Sequence, residues 1–389
     1  MKITWVIPAF GHFRVPVYQE LDALIGGGLS VIYSASRTGE TRRRALKAVL
    51  GERAIGLTGE VVSSLGGDAT TFANRGLLVP FQRRLLRSIL GSRPDCLVAE
   101  GFFQWTPAAL AAKFRKRIPL VIAYERTAHT ERHAGLARTV YRRVLARAAD
   151  AIACNGSLSR EYCATVLGFP RERTVIGAMA ADTGHMQQAG KAGPAPEVDG
   201  LPRPRFLFAG RLVVLKGVAE LLEGWSRAAA IRPDLGSLAV VGDGPERARL
   251  EAFVSERAVG NVRFLGAVDY ARMPGFYAGC DALVMPTLED NWSLVVPEAM
   301  AGGKAVLCSV YNGCWPELVR EGENGWLFDP RDLDSTARAL LAASDARGQL
   351  AAMGQASRRI AGDYTPRRAA EAILQACEIA KIHYQGRAG

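Results

Sequence analysis

The chain has 389 residues, 49% of them hydrophobic and 22% charged, which is enough for two α/β domains with full cores and excludes a disordered or fibrous protein. No stretch approaches the roughly 18 apolar residues of a membrane span, and the seven cysteines (Cys96, Cys154, Cys163, Cys280, Cys308, Cys314 and Cys377) contain no Cys-x2-Cys pair. That spacing indicates neither a zinc site nor a disulfide framework, and a reduced, cytosolic protein is the expectation. The formal net charge of +11 is uneven: residues 1–181 carry 26 Lys and Arg against 13 Asp and Glu, and the remainder 23 against 25. Such an excess in one half points to an anionic partner for it, a membrane surface or nucleic acid.

The opening Met1 to Pro8 is too short for a signal peptide, and Lys2 to Ala9 reads as a first strand. Gly11-His12-Phe13 forms a turn into a helix from Val15 to Leu24, and Leu29 to Ser34 is the second strand. With one glycine where a dinucleotide fold needs three, the first turn carries no Rossmann cofactor fingerprint. Gly11 and His12 are left open to another ligand. Two basic segments follow, Thr41 to Leu50 and Leu77 to Leu90; in the second, Phe81, Leu85 and Ile89 share one helical face beside Arg83, Arg84 and Arg87. The plainer reading is a surface helix packed on a sheet; the other is docking on anionic lipid.

Cys96 to Glu100, Pro119 to Tyr124 and Ala148 to Cys154 read as further strands. Open α/β sheets place ligands beyond the C-terminal ends of their strands, so Glu125, after the second of these, is a candidate for holding a ligand hydroxyl. Gly184 to Pro204, rich in Gly, Pro and Ala, reads as a linker, and Arg205 to Ala209 opens a second domain.

The second half carries the chemistry. Gly210-Arg211-x4-Lys216-Gly217 stands at a strand-to-helix turn, where two cations can grip a diphosphate that also faces the helix N-terminus. Leu238 to Val241 with Gly242-Asp243-Gly244-Pro245 is the next strand and turn, and Val262 to Gly266 another strand. Asp281 to Met285 is a buried strand, Pro286-Thr287 breaks it, and a helix starts near Ser293 or Leu294 with Pro297 in its first turn. Asp290 in the loop and Glu298 in the early helix, beside free N–H groups, suit a phosphorylated ligand bearing hydroxyls.

Asp290-x7-Glu298 resembles the Glu-x7-Glu core motif of the retaining GT-B glycosyltransferases of the group 1, or family 4, type, with the first carboxylate one methylene shorter. Gly303-Lys304-Ala305-Val306, Asn312 to Glu317 and Gly325-Trp326-Leu327-Phe328 resemble the rest of that pattern, and Gly210-Arg211-x4-Lys216-Gly217 its donor motif. The resemblance implies a GT-B fold: two Rossmann-like α/β domains facing across a cleft, residues 1–183 binding the acceptor, 184–204 linking, 205–365 binding the nucleotide sugar, and a C-terminal helix about 366–389 crossing back. It implies transfer of a sugar from a UDP- or GDP-sugar to a hydroxyl with retention, without a metal. Catalytic roles then fall to Arg211 and Lys216 on the diphosphate, Glu298 on the ribose and Asp290 on the donor sugar with the N–H groups of Trp292, Ser293 and Leu294. His129, with His133 in reserve, would face the reacting sugar. Gly210, Gly242, Gly244 and Leu265 would seat the nucleotide, with Gly11, His12 and Glu125 at the acceptor.

No covalent nucleophile is expected. Asp332-Leu333-Asp334, far from these motifs, is not expected to hold a metal. The basic first half favours a lipid-linked glycan or a cell-surface polysaccharide intermediate as acceptor, with the protein peripheral on the cytoplasmic face of the membrane; nucleic acid is disfavoured because aromatic stacking motifs are lacking. The alternatives are a soluble transferase for a small acceptor, an epimerase of the same fold, and a non-catalytic sugar-nucleotide-binding module. Ser293 in place of the usual glycine, with the shorter Asp290, points to an atypical donor sugar.

Overall fold

The computed structural model describes residues 1–65, 77–102, 104–188 and 193–386. The chain divides into two compact units, Met1–Ala180 with Pro366–Gly389, and Ala181–Thr365.

In the first unit, β1 (Ile3–Val6), β2 (Leu29–Ser34), β3 (Ala54–Leu57), β6 (Cys96–Glu100), β7 (Leu120–Tyr124), β8 (Ala151–Cys154) and β9 (Thr174–Ile176) form a parallel sheet. Its order, β3-β2-β1-β6-β7-β8-β9, reverses direction between β1 and β6. Every residue of β1, β7 and β8 is buried. Sheets covered on both faces require continuous apolar runs, which is why these strands are readable in the sequence. On one face Ile3, Trp5, Val98 and Val121 pack with Ala369, Ile373, Ala376 and Cys377 of the C-terminal helix Pro366–Gly386. On the other, Val6, Leu97 and Ile122 pack with Leu85, Ile89, Ala109 and Tyr162.

One expectation for this unit changes. The segment Leu77 to Leu90 is not one helix: β5 (Leu77–Phe81) pairs antiparallel with β4 (Val61–Leu65), and a helix runs only from Leu85 to Gly91. Leu85 and Ile89 are buried, whereas Phe81 is 62% exposed on the hairpin. The shared helical face is therefore an ordinary core contact of two residues. The four-residue spacing fitted a helix, but the pairing with β4 decides the conformation of the first third, an outcome that local periodicity does not contain.

In the second unit, β10 (Arg205–Ala209), β11 (Ser237–Val241), β12 (Val262–Gly266), β13 (Ala282–Met285), β14 (Ala305–Ser309) and β15 (Gly325–Phe328) are all parallel, in the order β12-β11-β10-β13-β14-β15. This is the doubly wound arrangement with its switch point between β10 and β13. The segment expected to be a linker, 184–204, is more structured than its composition suggests. Its start lies in a short helix, Thr183–Gln187, capped by Asp182, whose side chain accepts from the His185 N–H at 3.2 Å. Ala195 and Val198 are buried, and the Ala195 N–H donates to the Gly275 carbonyl at 2.9 Å. Small residues there allow close packing rather than mobility. Residues 189–192 lie outside the described residues.

Candidate active site

The loops leaving β10 and β13 are stitched together at the switch point. The Leu215 carbonyl accepts from the Leu288 N–H at 2.9 Å and the Thr287 hydroxyl at 3.0 Å. This clamp brings Lys216 to Asp290, and the two form an ion pair with 22% and 7% of their side chains exposed. Gly217 makes the approach possible: its φ is +66°, and a Cβ there would lie 2.0 Å from the Pro286 carbonyl oxygen. On the other side of β10, Gly242, with φ of +136°, abuts the Gly210 carbonyl, where a Cβ would come within 1.8 Å. Arg211 emerges from this corner exposed, and its guanidinium has no acceptor or carboxylate partner among the described residues. It is a free cation at the C-terminal end of the central strand.

Asp290 is buried and heavily solvated by protein. Its Oδ1 accepts from the Trp292 N–H at 3.0 Å, and its Oδ2 from the Ser293 hydroxyl at 2.6 Å and from Lys216. Burial by itself would raise its pKa; the Lys216 ammonium, the Ser293 hydroxyl and the Trp292 N–H outweigh burial and hold the carboxyl below its ordinary value. Two donors fill Oδ2, so one lone pair on Oδ1 is left for an incoming hydroxyl. The Ser293 N–H donates to Asn312 Oδ1 at 3.3 Å. Within the protein the Trp292 and Ser293 N–H groups are thus both engaged, the first because the acidic side chain at position 290 turns back on its own loop. The half-buried Leu294 keeps its N–H unbonded among the described residues.

Glu298 lies in the helix Val295–Ala301 and is 5% exposed. Tyr270 and Tyr277 donate their hydroxyls to its two oxygens at 3.0 and 3.3 Å. Burial pushes Glu298 up to about 7, with the two tyrosines opposing the rise and Asp182 adding to it. Tyr270 is itself backed by His185, whose ring stacks on it at 5.4 Å. The carboxylates of the Asp290-x7-Glu298 motif thus sit in opposite electrostatic settings: one is ionised by a cation, the other held near neutrality by burial.

Sequence reasoning missed Asn312, Tyr270 and Tyr277. Asn312 bridges to Asp290 and orders its loop, and its position in an Asn-Gly pair was a turn signal only. No pattern marks the tyrosines, which reach Glu298 by folding. Two buried donors nearby, Trp292 Nε1 and Asn312 Nδ2, have no acceptor among the described residues. Gly244 lies in the turn after β11, its N–H bonded to its neighbour Asp243 at 2.7 Å, and Leu265 is half-buried in edge strand β12.

The remaining candidates belong to the first unit. Gly11 and His12 follow β1, His12 being exposed against the edge of Phe13. Glu125 follows β7 and lines a cavity of about 180 Å³ with Glu100, Gln104, Arg126 and Arg142. His129 is half-buried in a tight turn in which the Thr127 N–H donates to the Thr130 hydroxyl at 3.0 Å, and His133 is exposed beyond it. Asp332 caps the helix Leu333–Asp345 through the Asp334 N–H at 3.0 Å.

Solved structures of similar fold are GT-B glycosyltransferases, and the two parallel sheets here make this chain a member of that fold class. Anabaena HepE in complex with UDP superposes with a TM-score of 0.71 at 18% identity, covering 96% of this chain and 99% of that one. A family model for glycosyl transferases group 1 matches residues 203–345, and one for a glycosyl transferase 4-like domain matches residues 33–178. The chain belongs to the group 1 glycosyltransferases. Among relatives, the lipopolysaccharide core biosynthesis glycosyltransferase LpsE of Rhizobium meliloti is 30% identical over 59% of this chain and 64% of its own length. The glycogen synthase of Mycobacterium tuberculosis is 28% identical over 74% of this chain and 70% of its own length.

Proposed function

We propose that the chain transfers a sugar from a nucleoside-diphosphate donor, UDP- or GDP-linked, to a hydroxyl of a lipid-linked glycan or cell-surface polysaccharide intermediate, with retention of anomeric configuration. The observation that carries the reading is the unpaired Arg211 beside the Lys216–Asp290 pair at the β10/β13 switch point. Negative charge develops on the departing diphosphate, and preorganised cations there supply several kcal/mol, of order ~3, of transition-state stabilisation. Lys216 spans both roles, steadying Asp290 while offering its remaining donors to phosphate. Asp290 takes a donor-sugar hydroxyl on its open lone pair, and Glu298 takes the ribose hydroxyls once they displace Tyr270.

A carboxylate held below its ordinary pKa is a poor general base. That supports front-face substitution, in which the leaving phosphate receives the acceptor's proton, over a role for Asp290 in deprotonation. His129 would face the reacting sugar, with Gly11, His12 and Glu125 holding the acceptor. Kinship with LpsE supports a glycan acceptor built on lipid.

A thermal-shift panel of UDP, GDP, ADP and their sugars tests the donor assignment. Stabilisation by one nucleotide family is expected; stabilisation by none would remove the reading. The stereochemistry of donor turnover, followed by NMR, tests retention, and an inverted product would overturn it.

A further inference from the structure

One helix of the first unit is built inside out. In Leu136–Ala148 the inward face carries a charge: Arg142 is buried, donating to Glu131 at 2.9 Å and to the Tyr162 hydroxyl at 3.3 Å. The outward face is apolar. Leu136, Val140 and Val144, at four-residue steps, are 86%, 55% and 56% exposed, with Tyr141 at 37% beside them. Arg143 and Arg147 flank this row exposed; the Arg143 Nε donates to the Val166 carbonyl at 2.6 Å and leaves its terminal nitrogens outward, and the Arg147 guanidinium has no partner among the described residues. From Arg132 to Ala149 the sequence is rich in arginine and contains no acidic residue.

The two basic segments singled out from sequence lack this combination. The helix Glu40–Leu50 turns Leu46 and Leu50 inward, and its outer cations Arg44 and Lys47 pair with Glu40 and Glu52. In Leu85–Gly91 Leu85 and Ile89 are buried, and the exposed side chain is Arg87 rather than an apolar row.

We propose that the outward face of Leu136–Ala148 docks on an anionic phospholipid surface, its aliphatic row entering the headgroup region and Arg143 and Arg147 meeting lipid phosphates. An amphipathic helix lying in the interface needs this pairing of apolar area with flanking cations. A second copy of the chain is a poorer occupant, because self-association would press like charges together. The helix begins at Leu136, directly after the loop that carries Glu125 and His129 beyond the C-terminal end of β7. Docking therefore brings the loop assigned to the acceptor toward the bilayer, and in this respect the inference rests on the lipid-linked acceptor reading.

The test is sedimentation of the full chain with phosphatidylcholine vesicles, with and without phosphatidylglycerol, at low and high salt. Salt-sensitive binding to the anionic vesicles alone is expected. The pairs Leu136→Ser with Val144→Ser, and Arg143→Gln with Arg147→Gln, should each reduce partitioning about tenfold or more, while Arg44→Gln with Lys47→Gln does not. These sites are exposed, and unchanged circular dichroism verifies that the variants fold. Failure to bind vesicles, equal binding by the variants, or a dimer dissolved by the serine pair would overturn the proposal. UDP and GDP titrations on the same samples separate the two readings: lost docking with intact nucleotide binding removes the docking face alone, and the converse removes the donor site alone.

Discussion

The two sheets share a strand order around their switch points, yet the crevices are furnished oppositely. Between β1 and β6 the cation is consumed internally: Arg14 is buried, donating to Glu100 at 2.8 Å and to the Ala178 carbonyl at 2.9 Å, with its guanidinium 5.3 Å from the Trp5 ring. Between β10 and β13 Lys216 holds Asp290 while Arg211 is exposed and unpaired among the described residues. Both arrangements satisfy the doubly wound fold, but only the second leaves positive charge available to a ligand. Topology selects the place for a site; uncompensated charge makes it one.

The largest effect expected in testing this contrast comes from Lys216→Ala. It strands the buried Asp290 carboxylate, so stability should fall by about 3 kcal/mol in urea denaturation, with nucleoside-diphosphate binding lost as well. Arg14→Met should also destabilise, by about 2 kcal/mol, since Glu100 loses a charged partner. Nucleotide affinity should survive it. Equal loss of nucleotide binding in both variants would erase the distinction between the crevices.

Glu298→Gln is expected to act in the opposite direction on stability. Because the folded-state pKa of Glu298 is raised to about 7, the native protein holds more protons than the unfolded chain between the ordinary glutamate value and that point. Stability contributed by the protonated form is therefore lost as pH rises through this window. The glutamine side chain would accept from one tyrosine and donate to the oxygen of the other without that penalty, raising stability near pH 8 by up to roughly 3 kcal/mol while weakening nucleotide binding. Denaturation midpoints at about pH 5 and about pH 8 would show it; an unchanged pH dependence in the variant would exclude Glu298 as the titrating group. The smallest effect should come from Asp290, whose lowered pKa stabilises the fold above the ordinary aspartate range. That contribution fades only as pH falls through the depressed value, so acid titration of Asp290→Asn should lack the last part of the wild-type loss.

The fold was most legible where strands are buried on both faces. Leu29–Ser34, Cys96–Glu100 and Arg205–Ala209 have the bounds that their apolar runs and flanking breakers suggest. Legibility failed where partners remote in sequence decide. Pairing with β4 turned the start of the Leu77 to Leu90 segment into a strand. The helix Leu136–Ala148 was not marked at all, since a period tells which residues share a face but not which face is inward. At the site, Arg211, Lys216, Asp290 and Glu298 could be picked out by residue type and spacing. The return of Asp290 onto the Trp292 N–H and the capping of Glu298 by Tyr270 and Tyr277 could not, because both depend on loop paths set by the fold.

The most direct test of the donor site is calorimetric titration of UDP and GDP into the wild-type chain and Arg211→Ala. Arg211 pairs with nothing in the described structure, so its removal should leave the melting temperature of the free protein unchanged while weakening binding of the preferred nucleotide by about a hundredfold, as loss of a charge-assisted phosphate contact does. Undiminished binding by Arg211→Ala would contradict the assignment of the β10/β13 crevice as the diphosphate site.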